Sequence, residues 1–137
     1  MSARWLLKTE PSTYAWADLV NQNRAVWDGV TNALALKNIR AMKKGDAVFV
    51  YHTGNEKAVV GIARAVSDPY ADPKAKDPKL AVVDLEPDRP LRRPVTLAEM
   101  RAASALAGLD LLRLSRLSVV PVSEAHWKVI LEMSGKK

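Results

Sequence analysis

Ala47-Val48-Phe49-Val50-Tyr51-His52 is the run on which the architecture turns. Both of its alternating faces are apolar, as in a strand buried on two sides within a barrel or sandwich. Gly54-Asn55 follows as a turn, and Ala58 to Val66 runs back as a second strand, so the pair reads as an antiparallel hairpin. On the returning strand Val60, Ile62, Arg64 and Val66 share one face. Val59, Gly61, Ala63 and Ala65 share the other, where small side chains let another segment or a ligand come close. Tyr51 and His52 are neighbours and point to opposite faces, so both line one pocket only if the strand ends or bulges there. Without a pocket, Tyr51 is a core tyrosine with a satisfied hydroxyl, and His52 a strand-end histidine bonded to a backbone carbonyl.

Upstream, Lys43-Lys44-Gly45-Asp46 forms the turn into the hairpin. Ala33 to Met42 places Leu36, Ile39 and Met42 on one side of a helix. Lys37, Arg40 and Lys44 recur at helical spacing on another side, as a phosphate-facing stripe or a solvated face. Trp5 to Thr9 reads as a strand that ends in an ordered bend, because Pro11 forces Glu10 to be extended. Lys8 then sits at the strand's end, where its charge can overhang a pocket or meet water. Ser12 or Thr13 caps a helix with Trp16, Leu19 and Val20 as its buried stripe, ended by Asn21 to Asn23.

Between these two helices lies Trp27-Asp28-Gly29-Val30-Thr31-Asn32, which suits neither helix. Asp28-Gly29 is a turn dipeptide whose glycine tolerates positive φ. Asn32 offers donors and acceptors together, as reading a base edge requires. The stretch therefore reads as a loop forming one wall of a ligand pocket, or as a loop whose Trp27 plugs the core.

Downstream, Asp68-Pro69, Asp72-Pro73 and Asp77-Pro78 punctuate a long loop from Ser67 to Lys79. Leu80 to Leu85 is a further strand, followed by an extended segment carrying Arg89, Arg92 and Arg93 among prolines. Thr96 and Glu99 have capping-box spacing for a short helix with Leu97, Met100 and Arg101 at its inner edge. Leu109 to Leu114 is apolar, and Ser115-Arg116-Leu117-Ser118 interrupts it before Val119-Val120-Pro121-Val122. Pro121 marks that strand as an edge or a strand end. Ser123 caps a last helix through Met133 with Trp127, Ile130 and Leu131 inward, and Ser134-Gly135-Lys136-Lys137 is a frayed tail.

The 137 residues fit one domain, 1–137, with 48% hydrophobic and 26% charged residues. No repeat or linker interrupts it. A net charge of +6 favours an anionic partner, nucleic acid above all. The absence of cysteine excludes disulfides, thiolate catalysis and thiolate metal sites. The N-terminal apolar run is too short for a signal peptide or a membrane span, so a cytoplasmic protein is expected, with a monomer as the default.

Metal and cofactor signatures are missing. Glycines are scattered, with no phosphate-binding loop, and His52 and His126 lack metal-ligand spacing. Ser115 and Ser118 lack a nucleophile-elbow context. Asp28, Asp46 and His52 could be assembled into an acid/base set, although nothing in their spacing compels it. The aromatics fit binding better: four tryptophans and three tyrosines against one phenylalanine pair flat faces with hydrogen-bonding groups. Trp27 could stack on an extruded base and Asn32 read its edge. Lys8, Arg40, Lys43, Lys44 and Arg116 would meet phosphates.

Trp5-Leu6-Leu7-Lys8-Thr9-Glu10-Pro11-Ser12, Trp27-Asp28-Gly29-Val30-Thr31-Asn32, Ile39 to Asp46, Val48 to His52, Val60-Gly61-Ile62-Ala63, Pro94-Val95-Thr96-Leu97 and Leu112 to Val122 together resemble the EVE-domain family. The resemblance spans nearly the whole chain in the family's order. It implies an α+β, PUA-like fold: a bent, mixed or antiparallel β-barrel with surrounding helices. It also implies a non-catalytic module, free of metal and cofactor, that flips and reads a modified base, most often modified cytosine in DNA. RNA binding is the alternative, and an enzyme acting on a modified nucleotide a further one. Lys8, Ser12, Trp27, Asn32, Tyr51, His52, Arg116 and Ser118 fall in the matched motifs and would line the pocket or its mouth. The chain departs from the family at Thr31, where arginine is common, and over Ala33-Leu34-Ala35-Leu36-Lys37.

Overall fold

Two apolar-faced strands, β1 (Arg4–Thr9) and β3 (Ala47–His52), lie side by side and parallel, with Arg4 opposite Ala47 and Lys8 opposite Tyr51. The computed structural model describes residues 3–77, 79–114 and 116–135. Parallel neighbours need a crossover. Here α1 (Trp16–Gln22), the short strand β2 (Ala25–Trp27) and α2 (Ala33–Ala41) provide it. The anticipated hairpin is present: β4 (Ala58–Ala65) returns antiparallel to β3. The pairing shifts register between Val50 and Tyr51, with Val60 as the extra residue on β4, so β3 keeps its alternation and Tyr51 and His52 do not share a pocket.

The rest of the sheet follows from β6. The expected strand from Leu80 and the proline-bearing segment after it form one element, β6 (Ala81–Thr96). Its first part pairs with β2, β4 and the two-residue β5 (Tyr70–Ala71), which lies within the Asp-Pro loop. Beyond Glu86 only β4 pairs with it. Pro87, Pro90 and Pro94 are tolerated there because their missing N–H groups are not needed on the open side. The strand order is β2-β6-β4-β3-β1-β7, and β7 (Val119–Pro121) is an edge, as Pro121 predicts.

This mixed, mostly antiparallel sheet is curled. Helix α2 packs on both β6 and β7, which stand far apart in the strand order. One short helix reaches both only if the sheet bends around it. Asn38 donates to the Val119 carbonyl at 2.7 Å, and the Arg40 guanidinium donates to the Lys79 carbonyl. The result is an incomplete barrel closed by α2. Helices α3 (Leu97–Ala102), α4 (Asp110–Arg113) and α5 (Glu124–Met133) surround it. Phe49 and Trp127 stack at 3.7 Å between centroids in the core beneath α5.

Several local expectations are corrected. Neither Ser12 nor Thr13 caps α1; Ala15 takes that position, and the Asp18 carboxylate accepts its N–H at 2.8 Å. Val20 is 46% exposed, leaving Leu19 as the fully buried residue of α1. Trp16 packs partly buried against the small face of β4. A Cβ at Gly61 would lie 2.7 Å from three atoms of its indole ring. Arg101 is exposed, because α3 turns only Met100 fully inward. Ser134 is buried and donates to the Leu131 carbonyl at 2.6 Å, so it closes the end of α5 and does not fray. Ser115, Lys136 and Lys137 lie outside the described residues.

Candidate nucleic-acid interface

Trp27 belongs to the end of β2 rather than to a loop, which fixes its backbone against Val83 of β6. Strand pairing holds the ring far more firmly than a loop would. Trp27 is 8% exposed, so it both plugs the core and walls a cleft. Tyr14 stands at right angles to it, with ring centroids 6.0 Å apart. The Tyr14 hydroxyl donates to Gln22 Oε1 at 2.7 Å, which pins the second ring of this aromatic corner.

The cleft beside these rings has a volume of about 870 Å³. That lies within the roughly 300–1,000 Å³ of small-molecule sites and is ample for one nucleotide. Lys8, Arg24 and Lys74 contribute three positive charges to its lining, against one carboxylate from Asp28. Burial lowers the pKa of Lys8, whose backbone N–H also donates to the Ser118 carbonyl at 2.9 Å. Gly29, at φ +79°, supplies the left-handed turn that returns the chain from β2 toward α2.

Of the residues expected at the pocket, Lys8, Trp27, Asn32 and Ser118 line this cleft. Asn32 does so with part of its hydrogen-bonding capacity already used. Its Oδ1 caps α2 by accepting the Ala35 N–H at 3.0 Å, leaving the amide NH2 for a ligand. Arg116 lines a shallower groove that meets the cleft at Asn32. Tyr51 lines a separate small pocket on the other side of Lys8. Ser12 is exposed and donates to the Glu10 carboxylate through both its N–H and its hydroxyl.

His52 is turned to a different task. Its Nε2 accepts the Trp16 N–H at 3.0 Å, which assigns the proton to Nδ1, donated to Glu56 Oε1 at 2.7 Å. The ring thus braces the start of α1 against the end of β3. Asp46, at the start of β3, accepts from the Trp5 indole, the Ala3 N–H and the Lys43 N–H. Asp46 and His52 occupy opposite ends of one strand, so they do not form an acid/base pair.

The basic residues expected on phosphates are dispersed. Lys43 and Lys44 precede β3, while the cleft lies at the Lys8 end of the β1–β3 pair. From Ala47 to Tyr51 alone is roughly 13 Å of strand. The Arg40 guanidinium is engaged by Lys79.

Reading the residues in sequence missed Tyr14, Arg24 and Lys74. Tyr14 follows directly on the Glu10-Pro11-Ser12 bend, an aromatic in a turn, and that was its available signal. Arg24 is placed by Asp84, which it meets through Nη2 at 2.8 Å and Nε at 3.3 Å. Tyr70 donates to the other oxygen of Asp84 at 2.5 Å. These bonds, Tyr70's first, lower the Asp84 pKa, and the same contact pushes the Tyr70 phenol up to about 12. The neutral phenol is the favoured form. Its stabilisation is complete below an ordinary tyrosine pKa near 10 and is lost as pH rises through about 12. Alkaline absorbance titration should therefore find one tyrosine ionising near 12, returned toward about 10 by Asp84→Asn. Unchanged titration in the variant would break the assignment.

A curled mixed sheet closed by a helix, with an aromatic-walled cleft rimmed by cations, defines a PUA-like domain. The family model of the EVE domain matches residues 3–133, and the chain belongs to that family. Human thymocyte nuclear protein 1 is 28% identical over an alignment taking in 100% of this chain and 76% of that protein. The structure of human THYN1 in complex with 5-methylcytosine-containing DNA is similar at a TM-score of 0.90 and 28% identity, covering 99% of each chain. A solution structure of a Rhodopseudomonas palustris protein is similar at 0.92 and 41% identity, covering 97% of this chain and 93% of that one. An ASCH protein of Zymomonas mobilis, at 0.60 and 10% identity over 96% and 95% of the two chains, shares the fold alone.

Proposed function

We propose that this domain binds nucleic acid by taking an extruded base into the Tyr14–Trp27 cleft and holding it unaltered, with modified cytosine in DNA as the preferred base. The observation that carries the reading is the cleft itself. Two pinned aromatic rings meet at a right angle in a cleft with room for a nucleotide, and cations outnumber carboxylates around it. Human THYN1, a relative across the whole fold, was captured with DNA containing 5-methylcytosine. With its oxygen held at the α2 cap, Asn32 keeps both amide N–H donors, which match the acceptor atoms O2 and N3 on a cytosine edge. A methyl group adds only about 0.8 kcal/mol of apolar burial, so the shape of the aromatic corner must supply the rest of the discrimination. A binding rather than catalytic role is supported by His52 and Asp46, whose polar atoms are spent on structural bonds.

A panel of modified and unmodified DNA and RNA oligonucleotides at one salt concentration tests this reading. Preference for RNA, or indifference to cytosine modification, would overturn it. Because Lys74 sits at the cleft and Lys43 and Lys44 do not, Lys74→Gln should weaken modified and unmodified strands alike. It should also reduce the slope of log affinity against log salt by about 0.9. A larger effect from the Lys43→Gln, Lys44→Gln pair would move the strand's path to the far end of β3.

A further inference from the structure

A second pocket lies across Lys8 from the base cleft and has a different character. Its volume is about 190 Å³, too small for a nucleotide. It offers room for roughly six waters' worth of ligand, the scale of one small oxyanion. Lys8, Lys57 and Arg101 line it, and no carboxylate does. The nearest acids stand outside the lining: Glu10 accepts from Ser12 and from Thr53 at the pocket's rim, and Glu56 accepts from His52. Glu56 faces the adjoining shallow groove with Lys57 and Arg101 rather than this pocket.

Tyr51 supplies the second observation. Its residue is 4% exposed, yet its hydroxyl has no hydrogen-bond partner among the described residues. No buried side-chain polar atom lacks a partner among the described residues, so this hydroxyl opens onto the pocket and is available to donate to what fills it. Burial raises the Tyr51 pKa and the Arg101 charge opposes that rise, which places the guanidinium within electrostatic reach of the phenol. Lys57 holds a left-handed backbone at φ +47°, and its carbonyl is fixed by the Leu97 N–H at 2.8 Å. Non-glycine residues kept in that conformation cluster at ligand sites.

We propose that this pocket binds the oxyanion of a phosphate group, with Arg101 and Lys57 supplying charge and the Tyr51 hydroxyl donating a hydrogen bond. The group is either free inorganic phosphate or a phosphodiester of the strand whose base occupies the neighbouring cleft. Lys8 forms the wall common to both compartments.

Amide NMR titration of the full chain with inorganic phosphate, at ionic strength held constant with chloride, tests the site. Saturable shifts are expected at Tyr51, Thr53 and Lys57. Arg101→Gln, at an exposed residue, should weaken them about tenfold, the size of a lost charge-assisted hydrogen bond. Tyr51→Phe, which keeps the buried ring, should also weaken them. Absence of saturation, or saturation unchanged in both variants, overturns the proposal. A second arm uses an unmodified oligonucleotide. A fall of about 0.9 in the salt slope for Arg101→Gln identifies a strand phosphate as the occupant. An unchanged slope alongside lost phosphate shifts identifies free phosphate. Neither arm contains a modified base, so failure here is distinct from failure of the base-reading proposal.

Discussion

Trp27→Ala should weaken binding to duplexes carrying 5-methylcytosine about 10- to 100-fold more than binding to the same duplex unmodified, the range expected for a lost base–aromatic stack. The effect is large because the ring is held by strand pairing on one side and by Tyr14 on another, so little is lost in ordering it. Backbone contacts are common to both duplexes and should survive. The variant also removes a core side chain, at a cost of about 3–5 kcal/mol. Binding must therefore be read at a temperature where thermal melting shows the variant folded. Trp27→Phe, which keeps a stacking face, should recover part of the preference. Equal losses on both duplexes would mean that Trp27 is only structural.

Asp46→Ala should be the most damaging single change to stability outside the apolar core. Asp46 is 3% exposed, and its two oxygens accept from the Trp5 indole at 2.9 Å, the Lys43 N–H at 2.9 Å and the Ala3 N–H at 3.1 Å. These bonds join the start of β1 to the turn before β3, the pair around which the sheet is laid. The buried indole N–H left without a partner costs about 1–3 kcal/mol and each of the two part-buried backbone bonds about 1 kcal/mol, so a total of about 3 kcal/mol is expected. For a chain of this length that is a fall of roughly 10 °C in melting temperature. Melting within a degree or two of the parent would show that water replaces the carboxylate freely.

The β3–β4 hairpin, α2, the Thr96–Glu99 capping box, the Ser123 cap and the edge position of β7 were legible, because each rests on neighbours a few residues apart. Local chemistry misled at α1, where Ser12 and Thr13 are good caps by type. The Glu10 carboxylate takes both donors of Ser12, and the Thr9 hydroxyl binds the Tyr14 carbonyl at 2.7 Å, so the bend runs on to Ala15. Asn32 was read as a two-sided hydrogen-bonding group, and the N-terminus of α2 claims its oxygen.

The candidate site was legible only in part, since a pocket is built from elements distant in sequence. Trp27 and Lys8 were legible because an aromatic beside a turn and a cation at a strand end stand out in any order of reading. Their meeting with Tyr14, Arg24 and Lys74 depends on β2 pairing with β6 and on Asp84 drawing Arg24 in. By itself the sequence determined the apolar strands, the main helices and the positive charge, which follow from side-chain type and short-range periodicity, and the family, which follows from the resemblance of its motifs in their order. Only the tertiary structure decided that His52 and Asp46 are braces, that Lys43 and Lys44 lie away from the cleft, and that Lys8 divides two pockets. Those outcomes depend on which end of a curled sheet each residue reaches, and strand pairing between remote segments sets that.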